Sequence, residues 1–460
     1  MSTLMGSVRD RLREVQPMRI AGPVSAVRGL CVHVDQLPLP VGSLVSVAHD
    51  ASDPRRPLLG EVVGFGDGRA IVMLMGQTEG VRVGDMVVGE EVTQSGAVGT
   101  RLLGRVIDGL GRPVDGRGAV GEIVRRPLNP APLNAMSRSS IRDPLHTGVR
   151  AVDLMTTLGR GQRMGVFAGP GVGKSTLLGT MARRSDAEVN VVALIGERGR
   201  EVRDFIEHSL GEDGLRRSVV IVATGDESPL LRVRAAKLAC TVAEFFREQG
   251  RSVLLMMDSI TRFAHAQRQI GLAAGEPPTT KGYTPSVFSS MALLLERAGS
   301  LSPRQGVAKG GSVTGLYTIL VDGDDMTEPV ADAARGILDG HLILSRKLAQ
   351  KGHFPAVDVL DSVSRVADDV TDAEHQEARR WLCRLLALYR EVEDLVQIGA
   401  YAKGSSAESD AAIEYYRPLT ELLRQGRGDT TAFPDARRSL LSLAKESKEL
   451  VAKLTKPKGR

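Results

Sequence analysis

The 460-residue sequence is poor in cysteine: Cys31, Cys240 and Cys383 lie far apart and form no CxxC pair. That pattern argues against both a disulfide framework and a cysteine zinc site. The eight histidines show no metal-ligand spacing either. No apolar run approaches the roughly 20 residues that a membrane-spanning helix needs. The first residues, MSTLMGSVRDRLREV, carry charges where a secretory leader would have its apolar segment. The last two absences predict a cytosolic protein. Aromatic residues are scarce at the N-terminal end, where Phe65 is the single one among the first 100 residues. A single-stranded nucleic-acid translocase needs a platform on which bases stack, so this scarcity argues against one. There is no internal repeat and no low-complexity tract. The formal net charge of +5 permits an acidic partner, such as anionic lipid or nucleic acid, without demanding one.

A chain of this length exceeds one compact core, so two or three domains are expected. Residues 20–95 contain AVRGLCVHV, GSLVSVAHD, LLGEVVGFGDGRAIVMLM and GVRVGDMVVG, which alternate apolar and polar positions between Gly, Asp and Pro. Short strands at that spacing predict a small closed β-barrel. Residues 96–370 hold the apolar runs MGVFA, VNVVALI, SVVIVAT, SVLLMMD and GLYTILV between helical stretches. That alternation predicts an α/β domain with a parallel sheet and helices on both faces. Residues 371–460 are charged and helical in pattern, with almost no strand signal. Ahead of the barrel, within residues 1–19, Leu4, Met5, Val8, Leu12 and Val15 form one helical face. This is read either as a frayed leader or as a docking helix for a regulator or acidic lipid.

The central region opens on a phosphate-binding loop, AGPGVGKST. Its first position is Ala168 where the general pattern has Gly, and Gly169, Pro170, Gly171, Val172, Gly173, Lys174, Ser175 and Thr176 follow. The glycines free the backbone, so that amides point at phosphate oxygens ahead of a helix N-terminus. Lys174 would reach the β- and γ-phosphates, and the Ser175 hydroxyl would ligate Mg2+. The run RMGVFA before the loop and KSTLLGTMARR after it supply the strand and helix that the motif requires. A second apolar strand, SVLLMMD, ends in Asp258, which suits a carboxylate supporting the metal. A third, in VALIGERGREVRDF, is followed by Glu197. A carboxylate there can accept a hydrogen bond from water and polarise it. Arg200, Glu201 and Arg203 beyond it read as surface ion pairs.

Several segments in order carry a resemblance: GRVIDGLGRPVDG, TGVRAVD, RGQRMGVFAG, IGERGRE and PAVDVLDSVS, the last spanning Pro355 to Ser364. The chain resembles the α and β subunits of rotary ATP synthases and their relatives over nearly its whole length. The resemblance implies an N-terminal barrel, a RecA-type nucleotide domain, a C-terminal helical domain and a ring of six. It also bears on whether the nucleotide is hydrolysed or only held, because non-catalytic subunits of that superfamily carry Gln where this chain has Glu197. The resemblance implies that Arg365 is an arginine finger offered to a neighbouring subunit. It further implies that Arg198 and Arg262 contact phosphate or the water-positioning glutamate, and that Phe354 stacks on adenine.

Within that superfamily LLMMDSITRFAHAQRQIGLAAGEPPTTKGYTPSVF and IGAYAKGSSAESDAAI are similar to the ATPases of type III protein export, the flagellar branch in particular. The virulence-secretion branch is the alternative; a nucleic-acid translocase and a non-catalytic rotary subunit are more remote. The C-terminal region has EVEDLV, Glu391 to Val396, where the rotary β subunit has an acidic run facing its rotor. What the resemblance implies is ATP and Mg2+ as cofactors, and a homo-hexamer at the inner face of the cytoplasmic membrane. Implied partners are a stalk protein in the ring, a regulator at the N-terminal helix, and export substrates with their chaperones.

Overall fold

The computed structural model describes residues 19–47, 57–302, 310–321, 323 and 325–455. The N-terminal helix expected within residues 1–19 lies almost wholly outside them. Strands β1 (Ala21–Arg28), β2 (Cys31–Val34), β3 (Leu44–Val47), β4 (Leu58–Gly66), β5 (Arg69–Leu74) and β6 (Met86–Glu91) close a barrel in the order β1-β2-β5-β4-β3-β6. Its alternating sequence buries Val24, Val32, Val45, Val62 and Val72 inside. Cys31, Ile71 and Met73 instead join the core of the next domain, so the barrel is seated on that domain by apolar contact.

The central sheet runs Val357–Ser364, Gly340–Leu344, Arg163–Ala168, Ser312–Leu320, Ser252–Asp258, Val189–Ile195, Ser218–Ala223, Val106–Asp108. The inner strands are buried on both faces, which is why they read as unbroken apolar runs. Along Val189–Ile195, Val191, Ala193 and Ile195 pack into one cluster with helix Pro229–Glu248. Val192 and Leu194 pack into the other, with helix Lys174–Arg184. The sheet is parallel except at one edge, where Val357–Ser364 runs antiparallel to Gly340–Leu344, and at the short Gly299–Ser300 flank. That edge strand alternates buried and half-exposed residues, so its sequence lacks the apolar continuity of the inner strands. Helices Ala373–Gln397, Ala407–Leu423 and Phe433–Thr455 follow, and Leu382, Leu385, Leu419 and Leu440 share the second cluster.

The TGVRAVD segment has a local physical role. Asp153, in helix Arg150–Met155, accepts hydrogen bonds from the Thr147 amide (2.7 Å), the Thr147 hydroxyl (2.7 Å) and the Gly148 amide (3.0 Å). All three donors are satisfied by one buried carboxylate, and the turn they form carries Gly148 to Arg150 toward the nucleotide loop. Asp153→Ala leaves them without that acceptor, at a cost of at least about 2 kcal/mol. The urea midpoint should fall accordingly, and fall less for Asp153→Asn, which keeps one acceptor oxygen. An unchanged midpoint in Asp153→Ala would remove this role.

Candidate active site

Three side chains converge at the C-terminal ends of three strands of the central sheet, Arg163–Ala168, Ser252–Asp258 and Val189–Ile195. Strand Arg163–Ala168 delivers the loop, and helix Lys174–Arg184 starts directly after Gly173. Gly171 and Gly173 have φ of +76° and +90°, in the left-handed region open to glycine. Among the described residues, the amides from Gly171 to Thr176 donate to no backbone carbonyl, and the first bond of the helix is Leu177 N–H to Gly173 O at 3.0 Å. A row of unsatisfied donors at a helix N-terminus is a site for anionic oxygens. Gly169 is buried at the strand exit, Pro170 is exposed, and Val172 packs into the core beneath the loop.

Lys174 Nζ donates to Asp258 Oδ1 at 2.6 Å and lies 3.7 Å from Glu197 Oε1. The three side chains are 14%, 5% and 12% exposed, so their charges interact with little screening by water. Burial works against the Lys174 charge, but Asp258 and Glu197 outweigh it and hold its pKa above the ordinary lysine value. Glu197 is pushed up to about 7, first by burial and then by the charge of Asp258, with Lys174 and Arg262 opposing. Its Oε1 is buried and has no hydrogen-bond partner. Gly196, at φ +72°, makes room for this arrangement: a Cβ there would stand 2.8 Å from Arg262 Cβ. Ser259 caps the helix that carries Arg262, accepting from the Arg262 amide at 3.3 Å.

On the other side of the loop a cavity of about 460 Å³ is lined by Gly171, Gly173, Thr176, Phe354 and, from the C-terminal region, Gln425 and Arg427. The Phe354 ring faces Gly173, with ring atoms 3.6 Å from where a Cβ would stand. Gln425 fastens the C-terminal segment there. Its side chain accepts from the Arg150 amide and donates to the Gly148 carbonyl, both at 3.0 Å, and its own amide donates to the Phe354 carbonyl at 2.8 Å. Arg184, the last residue of the loop helix, donates to the Arg427 carbonyl at 2.6 Å. Sequence reading did not find this segment. Its signal was the RQGRGD break in an otherwise helical stretch.

The remaining expected residues are placed differently. Ser175 sits exposed on the first helical turn, beside Lys174. Ser175 and Asp258 fit a Mg2+ ion, which is usually held by one or two protein ligands together with substrate phosphates. Asp258 Oδ2 accepts no hydrogen bond among the described residues. Arg198 is not drawn into the cluster; its side chain is 85% exposed and lies 3.9 Å from Glu201. Arg200 and Arg203 form exposed pairs with Asp204 and Glu207. Arg365 is exposed and follows the antiparallel edge strand, its amide bonded to the Asp339 carbonyl. Val357 pairs with Leu344 at the loop end of the sheet, and Ser364 pairs with Gly340 at the far end. The strand bulges between Asp358 and Val363, so its eight residues span only the five of Gly340–Leu344 and carry Arg365 roughly 15 Å from that end.

Comparison with known proteins agrees with this architecture. Residues 19–90 match the beta-barrel domain of the ATP synthase alpha/beta family, and residues 148–364 match its nucleotide-binding domain. Residues 371–442 match the T3SS EscN ATPase C-terminal domain. The flagellum-specific ATP synthase of Treponema pallidum is 51% identical over 432 residues, covering 94% of this chain and 95% of that protein. The type 3 secretion system ATPase of Xanthomonas euvesicatoria is 49% identical over 387 residues, covering 84% of this chain and 86% of that protein. The assembled ATPase EscN of the enteropathogenic E. coli type III secretion system superposes with a TM-score of 0.83 at 38% identity, over 92% of this chain and 100% of that one. A second structure holds EscN in complex with its central stalk EscO, at the same TM-score of 0.83. With its barrel, its nucleotide domain and its C-terminal helices each matched in order, the chain belongs to the ATP synthase alpha/beta family, in the branch of the flagellar and type III secretion ATPases.

Proposed function

We propose that this chain is an ATPase that hydrolyses ATP at the cluster of Lys174, Glu197 and Asp258 and that the hydrolysis serves type III protein export of the flagellar kind. The observation that carries the catalytic reading is the buried, unpartnered Oε1 of Glu197, 3.7 Å from Lys174 Nζ. A buried acceptor without a donor is costly, and a water molecule poised for attack supplies the donor. The loop amides and Lys174 take the β- and γ-phosphates. Phe354 and the Gln425–Arg427 segment hold the base, and Arg262 limits the charge repulsion between Glu197 and Asp258. Bound Mg2+, held by Ser175 and, through water, by Asp258, would supply positive charge at the phosphates.

Arg365 cannot serve its own site from the far end of the sheet. We read it as an arginine finger for the site of a second copy, a contribution worth about 10³–10⁵ in rate. Arg198, exposed on the same loop as Glu197, is read as a further contact at that junction. We read the chain as a subunit of a homo-hexameric ring around a stalk protein, a reading supported by the relative solved in assembled form and with its central stalk. A regulator or acidic lipid at the N-terminal helix, and export substrates with chaperones, complete the reading. The flagellar branch is preferred because the flagellar relative aligns over more of this chain than the virulence one. No helix among the described residues is long and apolar enough to cross a membrane, which suits a cytoplasmic protein placed peripherally at the membrane.

Glu197→Gln is nearly isosteric and removes the charge that polarises water. It should retain ATP binding while turnover falls by about 10²-fold or more; loss of binding would make Glu197 structural. Because its pKa is raised to about 7, Glu197 takes up a proton as the pH falls through neutrality. kcat/KM should therefore decline below about pH 7, and the residual rate of Glu197→Gln should lack this inflection. For the shared site, Arg365→Ala and Lys174→Ala chains should each be inactive alone and regain partial activity on mixing. Full activity of dilute Arg365→Ala protein would refute the shared site.

A further inference from the structure

Strand Ser312–Leu320 lies between the strand that delivers the loop and the strand that ends in Asp258. A strand buried on both faces favours Val, Ile and Leu, yet this one carries Thr318 with no exposed surface. A hydroxyl at such a position is costly unless it is bonded. Thr318 Oγ1 lies 2.7 Å from Asp258 Oδ1 and 3.3 Å from the Met257 carbonyl, so its single proton is directed to the carboxylate. The Asp258 oxygen it meets is the one that accepts from Lys174 at 2.6 Å. Oδ1 thus has two donors, one from the start of the loop helix and one from the neighbouring strand, while Oδ2 has none among the described residues. Thr261 steadies the same corner, its hydroxyl accepting from the Leu320 amide at 2.9 Å.

We propose that Thr318 is a positioning residue for the metal-supporting carboxylate: its hydroxyl fixes Asp258 through Oδ1 and so presents Oδ2 to Mg2+. The inference rests on the ATPase reading above and deepens it. Lys174 has two tasks, since the ammonium that bonds Asp258 is also the cation that meets phosphate. When Lys174 turns to phosphate, Thr318 is the donor that stays on Oδ1. The carboxylate then keeps its plane, because its second anchor is part of the sheet and not of the loop.

The test compares Thr318→Val, which removes the hydroxyl and keeps the branched shape, with Thr318→Ser, which keeps the hydroxyl. Binding of a fluorescent ATP analogue is measured in EDTA and with Mg2+, after melting curves establish that each variant is folded. Affinity in EDTA should match wild type in both. The gain on adding Mg2+ should shrink roughly tenfold in Thr318→Val, the loss expected for one hydrogen bond to a charged group. Thr318→Ser should keep that gain within about twofold. Should Thr318→Val fail to fold, Thr318→Ala carries the same expectation. A Mg2+ response of the hydroxyl-free variant equal to wild type overturns the proposal, as does an equal loss in Thr318→Ser, which would make the role one of packing. Wild-type protein that neither hydrolyses ATP nor gains affinity with Mg2+ overturns the ATPase reading and this inference together.

Discussion

Two carboxylates and one ammonium share a space largely shielded from bulk solvent at the mouth of the central sheet, and much of the surrounding structure serves to keep them there. Lys174 pairs with Asp258 at 2.6 Å, which leaves Glu197 at 3.7 Å as the carboxylate with less compensation. Burial first, and the charge of Asp258 next, raise its pKa, and Lys174 opposes them only in part. The cluster persists because each member is carried by a different secondary-structure element. Lys174 opens a helix, Glu197 follows one strand, and Asp258 ends the next. Breaking one member of such a buried set costs about 3–5 kcal/mol, because a charge is left without its partner. The same constraint makes the site responsive: a phosphate that attracts Lys174 must change what both carboxylates feel.

The sheet's topology separates what one chain can do from what requires two. Parallel strands bring the loop, Glu197 and Asp258 to one edge, as open α/β sheets bring ligand contacts to their carboxyl ends. The antiparallel edge strand reverses that direction. It begins near Leu344, close to the loop, and ends beside Gly340, where Arg365 emerges. Phe354 precedes this strand and Arg365 follows it, so one short segment presents an aromatic face to its own loop and a guanidinium to the opposite side. A chain built this way offers different surfaces at its two ends, which is the requirement for head-to-tail closure of a ring.

The cavity beside the phosphate-binding loop is not the property of one domain. Gln425 joins the turn at Gly148–Arg150, the carbonyl of Phe354 and the helical region through three hydrogen bonds, and Arg184 adds a link from the far end of the loop helix. The C-terminal segment thus lines the Phe354 side of the cavity, while the loop side belongs to the sheet domain.

The barrel, the inner strands and the helical C-terminal region were legible because their periodicity repeats within a few residues. The loop was legible because its backbone conformation is encoded by adjacent glycines, and Glu197 because its chemistry differs from Gln at a single position. The edge strand Val357–Ser364 was recognisable as a motif but not as a strand, since half its residues face out. What the sequence by itself determined was thus local: apolar period, glycine placement and the identity of single polar groups. Only the tertiary structure decided that Thr318 meets Asp258 across 60 residues, that Gln425 meets Arg150 across 275, and that Arg365 leaves its own site behind. Those relations depend on strand order and direction, and strand order is set by packing over the whole sheet rather than by the residues that profit from it.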